Sequence, residues 1–167
     1  MQRVRGWLMA GVVMCTLAGM MARADDEKEE KIPLDKVPKA VLKAVKAKFK
    51  DAKLVSAQKE NENGKLAYEI NLKHKGAKIE VTVTPDGKIV SVEKTIAVKA
   101  LPKPVTEAVN RKYPRAKYMS VEEVSADGKT SYEVLIATAE KKTFEVVLDK
   151  SGKIIKEARV EIELEKK

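Results

Sequence analysis

The residues able to do chemistry are few and poorly grouped. His74 is the single histidine of the chain, and it falls in His74-Lys75-Gly76, whose composition predicts a hairpin turn. A histidine base needs an orienting group and a nucleophile, and a metal site needs further ligands; neither clusters with His74. It is therefore expected to be an exposed turn residue. Asp86-Gly87-Lys88 and Asp127-Gly128-Lys129 lack the additional acidic positions of a calcium loop and read as reversals. Beyond the N-terminal segment every glycine falls in a reversal rather than between a strand and a helix, so no phosphate-cradling loop is formed.

Glutamates are the remaining candidates. Glu69 and Glu80 fall on adjacent predicted strands with their side chains on one face, and Glu133 and Glu145 occupy the matching places further on. Two facing carboxylates could act as an acid and base pair, but glutamates balanced by cross-strand lysines are the commoner arrangement. No catalytic, cofactor-binding or metal-ligating residue is assigned. The chain reads as non-enzymatic and free of cofactors.

The elements that place these glutamates come from a repeat. Val37 to Lys53 (VPKAVLKAVKAKFKDAK) returns 64 residues later as Leu101 to Lys117 (LPKPVTEAVNRKYPRAK), and self-similarity at a fixed period takes precedence over any local motif. Pro38 and Pro102 suit a first helical turn. Val41, Ala44, Val45 and Phe49 then form one apolar face, rebuilt by Val105, Ala108, Val109 and Tyr113. Lys39, Lys43, Lys46 and Lys50 fill the solvated side of the first helix, and Pro114 stops the second.

After each helix the period changes to two. Strands are predicted at Leu54 to Glu60, Leu66 to Lys73, Ala77 to Thr84 and Lys88 to Val98, and again at Tyr118 to Ser125, Thr130 to Thr138, Lys142 to Asp149 and Lys153 to Leu164. Each repeat is expected to be one helix packed on a four-stranded antiparallel meander, an α+β fold. A helix covers one face of its sheet, so the other stays open. Alternation puts Glu69, Asn71, Glu80 and Thr82 on that open face in the first repeat. In the second it puts Glu133, Leu135, Ala137, Glu145, Val147 and Ile155 there. Either the apolar members form a contact surface, or a bulge inverts the alternation and they are core. Tyr68 and Tyr132, alternating with Ile70 and Val134, are expected beneath the helices.

Residues 1–24 read as a secretory signal: Arg3 and Arg5 precede the uncharged run Trp7 to Met21, and Ala22-Arg23-Ala24 offers small residues for cleavage before Asp25. The run is shorter than the ~20 residues that a spanning helix requires, so no stable membrane span is expected after cleavage. Losing Arg3, Arg5 and Arg23 lowers the formal net charge from +9 to +6, and Cys15, the only cysteine, leaves with them. The exported chain therefore has no disulfide or thiol chemistry. Its basic excess is almost all lysine, which argues against nucleic-acid recognition by arginine forks. Residues 25–36, DDEKEEKIPLDK, are rich in charge and without period, and are expected to be a disordered leader. The repeats are placed at 37–99 and 100–167.

The paired motifs Val37-Pro38 and Leu101-Pro102, Phe49-Lys50-Asp51-Ala52 and Tyr113-Pro114-Arg115-Ala116, Tyr68-Glu69-Ile70 and Tyr132-Glu133-Val134, with the closing Asp86-Gly87-Lys88-Ile89 and Ser151-Gly152-Lys153-Ile154, carry a resemblance. The chain resembles a tandem of PepSY-like domains of the beta-lactamase-inhibitor-like type, over about Pro33 to Leu164. That resemblance implies an exported bacterial protein with a role in protein binding or inhibition, whose repeats join into a continuous concave sheet. The chain lacks the inhibitor's disulfides, and its His74-Lys75-Gly76 turn is basic where the inhibitor carries an acidic and aromatic plug. Only the generic binding role carries over. The expected function is a periplasmic or secreted module that binds or inhibits a protein or peptide of the cell envelope through Glu69, Glu80, Glu133, Leu135, Glu145 and Val147 on the open face. The alternative is an electrostatic binder of anionic envelope polymer through the lysine-rich helix faces.

Overall fold

A computed structural model of the protein describes residues 28–62 and 65–161; the expected signal segment lies outside them. Two helices, α1 (Lys39–Lys48) and α2 (Lys103–Lys112), accompany nine strands. These are β1 (Lys28–Ile32), β2 (Lys53–Glu62), β3 (Lys65–His74), β4 (Ala77–Val83) and β5 (Ile89–Thr95), followed by β6 (Lys117–Ala126), β7 (Lys129–Ala137), β8 (Thr143–Asp149) and β9 (Ile154–Val160). The strands form one antiparallel sheet in chain order, β1 through β9, and the sheet is not closed. No helix among the described residues is long and apolar enough to cross a membrane.

The helices form where the sequence places them. Pro38 and Pro102 stand at the N-caps with extended backbone, and the Phe49 and Tyr113 N–H groups close the last turns on the carbonyls of Val45 and Val109 at 2.8 Å. Each helix buries two valines completely, Val41 and Val45 or Val105 and Val109. They pack into two separate cores, one per repeat. The first holds Ile70, Leu72, Val81 and Val83, and the second Val134, Ile136, Val146 and Leu148. Tyr68 and Tyr132 join these cores, as their alternation requires. Fully burying each such side chain contributes roughly 1.5 to 3 kcal/mol.

Two expectations about the strands need correction. Within the expected leader, residues 28–32 form β1, antiparallel to β2 with Lys31 opposite Gln58 and Ile32 opposite Ala57, and Leu34–Lys36 form a 3-10 turn. Ile32 and Leu34 pack on the first core. The physical reason is that β2 would otherwise be an uncovered edge with a row of unpaired backbone groups. The second repeat has the same feature, because β5 pairs with β6, Thr95 lies opposite Glu122, and Val98–Ala100 forms the matching 3-10 turn. The second correction concerns Ile155. A bulge after Val147 pairs Leu148 with Ile154 and Val147 with Lys156, leaving Ile155 unpaired and 61% exposed.

Bulges recur in register. Val55 and Met119 are skipped in the first strand after each helix, and Val90 and Ile155 in the last strand of each repeat. All four are exposed. Two bulges per repeat sharpen the strand twist without inverting the faces between them.

Candidate binding surface

The face away from the helices carries a band of carboxylates. Antiparallel register sets Glu80 directly opposite Glu93 and Glu122 directly opposite Glu133. Glu69 on β3 and Glu145 on β8 flank these pairs one diagonal step away, since Glu69 faces Thr82 and Glu145 faces Leu135. The result is one glutamate on each of six consecutive strands, β3 to β8. At the usual strand spacing of about 4.8 Å the band extends roughly 24 Å. It crosses the β5/β6 junction, so both repeats contribute to one surface.

The band is not simply solvated. Glu69, Glu93, Glu133 and Glu145 are all buried, and so are Val124 and Leu135, which lie among them on the same face and belong to neither core. Burial, together with the neighbouring Glu122, Glu69 and Glu145 charges, raises the Glu93 carboxyl to about 7. Burial also raises Glu133 to about 8, with Glu145, Glu93 and Glu122 adding to the effect and Lys156 opposing it. Glu80 is raised furthest, by burial and then by Glu69, Glu93 and Glu122. Glu145 is raised by burial against the pull of Lys156, whose ammonium lies 3.8 Å away. Like charges directly opposite one another destabilise a sheet, and this chain holds two such pairs side by side.

The two ends of the band are relieved differently. At one end the Gln58 amide donates to Glu69 Oε1 at 2.9 Å and the Asn71 amide to the same oxygen at 2.6 Å. At the other end Lys156 pairs with Glu145. Between them Thr95 donates to Glu122 at 3.2 Å, but among the described residues no lysine or arginine makes an ion pair with Glu80 or Glu93.

All six residues expected on this face, Glu69, Glu80, Glu133, Leu135, Glu145 and Val147, are on it. Ala137 lies at its margin, opposite Lys117 and Thr143. Glu93, Glu122, Gln58 and Val124 were missed, although the alternations Ser56-Gln58-Glu60, Ser91-Glu93-Thr95 and Ser120-Glu122-Val124 place them as clearly. His74 is not an exposed turn residue. It ends β3, half-buried, with its ring edge-on to Phe49 at 5.7 Å. Asp86 and Asp149 serve their own turns: the Thr84 hydroxyl holds the first carboxyl low and the Ser151 hydroxyl the second. Among the described residues no three acidic or histidine side chains converge tightly enough to hold a metal ion.

A family model described as "Putative beta-lactamase-inhibitor-like, PepSY-like" matches the chain twice, over residues 24–91 and 84–156. The chain belongs to the PepSY-like family. The two matches overlap over residues 84–91, the β4–β5 turn and the start of β5, the strand that closes the first repeat and pairs with the first strand of the second. PepSY-like architecture recurs in solved structures. A BLIP-like protein from Bacteroides fragilis superposes with a TM-score of 0.60 at 18% identity, covering 74% of this chain and 86% of that one. A protein described as a putative periplasmic protein from Bacteroides eggerthii gives 0.66 at 14% identity, covering 74% and 89%. At these identities the likeness is one of fold. No match was found among curated proteins.

Proposed function

We propose that this PepSY-like protein is an exported, non-enzymatic binding module that presents its open sheet face to a protein or peptide of the cell envelope. The observation that carries the proposal is the continuous band on β3 to β8, in which both repeats supply side chains to one uncovered surface. A buried, mutually repelling row of carboxylates lowers the stability of the free protein, and a partner is the simplest source of compensation. The beta-lactamase-inhibitor-like family and the periplasmic description of a structural neighbour support the role and the compartment. The signal-like N-terminus points the same way.

The test is capture of partners from the native envelope by the parent protein and by a Glu69→Lys, Glu133→Lys, Leu135→Lys variant. Loss of specific capture with retained folding supports the role; unchanged capture of every partner removes the open face from consideration.

A further inference from the structure

We infer that the open face recognises an extended, basic polypeptide segment, whose arginine or lysine side chains lie across the strands with their charged ends between the carboxylates of β4 to β7. This inference rests on the binding role proposed above and specifies the chemistry of the partner.

Three observations converge on that chemistry. The first is the orphaned acceptor at the start of the band. Gln58 is 2% exposed, and while its Nε2 donates to Glu69, its Oε1 has no donor among the described residues. A buried acceptor beside a carboxylate lacks an N–H group, and a guanidinium or ammonium supplies several. Gln58 stands, one repeat earlier, where Glu122 stands in the second repeat, so the acceptor row continues past the last glutamate.

The second is the chain's own partial answer to the same problem. Lys156 reaches Glu145 from β9 and lowers the electrostatic cost at Glu133. An ammonium on a flexible stem therefore fits beside this band, and the central Glu80, Glu93 and Glu122 present the same opening with no ion pair to a lysine or arginine among the described residues.

The third is the apolar ground between the charges. Val124, Leu135 and Val147 lie on the same face as the glutamates, and in the second repeat Leu135 and Val147 replace the Asn71 and Thr82 of the first. Lysine and arginine bury methylene stems while their heads stay with charge. A bare divalent ion has no use for such ground, and the carboxylates, one per strand, do not close on a single ion. The groups facing Glu80 and Glu93 on this side are Glu69, Asn71, Lys73, Lys78, Thr82, Ser91, Thr95, Glu122 and Val124, and neither lysine makes an ion pair with the two carboxylates among the described residues; both helices pack on the opposite side.

Because the carboxyls of Glu93 and Glu133 hold protons into the neutral range, a cationic segment must displace protons as it binds. The experiment is titration calorimetry of the purified protein with a heptapeptide of alternating serine and arginine, in two buffers of different ionisation enthalpy. The citrulline peptide serves as the uncharged control, and spermine and calcium as small cations. The expected results are proton release on binding and at least tenfold tighter binding at pH 8 than at pH 5.5. Affinity should fall at least tenfold with citrulline and at least tenfold in the Glu80→Gln, Glu93→Gln double variant. A Lys43→Gln variant on α1 should bind like the parent. Relief of like-charge repulsion should make the double variant no less stable than the parent, so its loss of binding would not reflect unfolding.

Equal binding of the citrulline peptide, affinity that falls as pH rises, or equal affinity for spermine or calcium would each overturn the inference. So would salt-sensitive self-association that occupies the face with the lysines of a second copy. A photo-crosslinker in place of Thr82 separates this failure from that of the binding role. Envelope partners crosslinked there through neutral or acidic segments would sink the charge argument alone. No crosslink from Thr82, with crosslinks from Lys43, would sink the open-face role itself.

Discussion

Glu93 and Glu133 set the pH behaviour of the molecule at the scale of single residues. Their carboxyls, with that of Glu80, lie above the ordinary carboxylate range in the folded chain. Below about pH 4.5 these groups are protonated whether the chain is folded or not, and their contribution to stability is fully present. As pH rises the unfolded chain ionises first, and stability is lost through the folded values of about 7 and about 8. Thermal melts should therefore show a falling midpoint between pH 5 and pH 8. Asp86 and Asp149, held low by their turn hydroxyls, act in the opposite sense only in acid. In the Glu80→Gln, Glu93→Gln variant the fall should flatten, with a gain at pH 8 of up to about 1 kcal/mol for the relieved pair and little change near pH 4. A midpoint independent of pH in the parent would contradict the burial of the band. At this scale Glu69, Glu80, Glu133 and Glu145 were legible from alternation alone. Glu93 and Glu122 carry the same signal, but recognising the band depends on knowing that β5 pairs with β6, a long-range contact that no period in the sequence encodes.

Helix and hairpin determine each other at the scale of elements. Gly87 and Gly152 turn the last hairpin of each repeat with φ of 94° and 83°, a region that side chains rarely adopt. Each also lies against the start of its helix. A Cβ on Gly87 would come 2.9 Å from the Ala40 carbonyl oxygen, and one on Gly152 would press still harder on that of Pro104. Gly152→Ala should thus destabilise the protein by about 1 to 3 kcal/mol, measured by denaturant unfolding, whereas Gly76→Ala, where no atom lies within reach, should show the backbone contribution alone. Similarly, Val109→Lys would force a charge into a site that is 0% exposed and should prevent stable folding. The helices, their apolar stripes and the strand sequence were readable because each obeys a local period. The strand at residues 28–32 was not, because KEEKI carries too many charges to look like one. Its register with β2 and its following Ile32-Pro33-Leu34 match Ile96-Ala97-Val98 before α2, and comparison from Ile32 rather than Val37 would have revealed it.

For the whole molecule, the edges of the sheet decide how it meets its surroundings. On one side β1 covers β2 with charged residues, including Glu30 near Lys59 at 3.9 Å; such charge discourages edge-to-edge association. Removing residues 28–36 should expose the long β2 edge and strip Ile32 and Leu34 from the first core. Light scattering should then show concentration-dependent association, and the unfolding midpoint should fall; a monomer of unchanged stability would mean that β1 is dispensable. The two cores are distinct, yet the sheet is single, so the halves are joined by backbone pairing more than by shared apolar packing.

That arrangement obeys the arithmetic of a fence. Each panel, a helix with its four following strands, leans on a post placed before it, and β5 is both the last strand of one panel and the post of the next. Two panels therefore need nine strands, and β1 is the opening post. A third copy grafted after β9 would require no new seam, because β9 could serve it as β5 serves the second. Duplication in this fold lengthens the sheet and its open face together, in steps of one repeat, while the carboxylate band stops at β8 because Ala158 stands opposite Glu145 where Glu93 stands opposite Glu80.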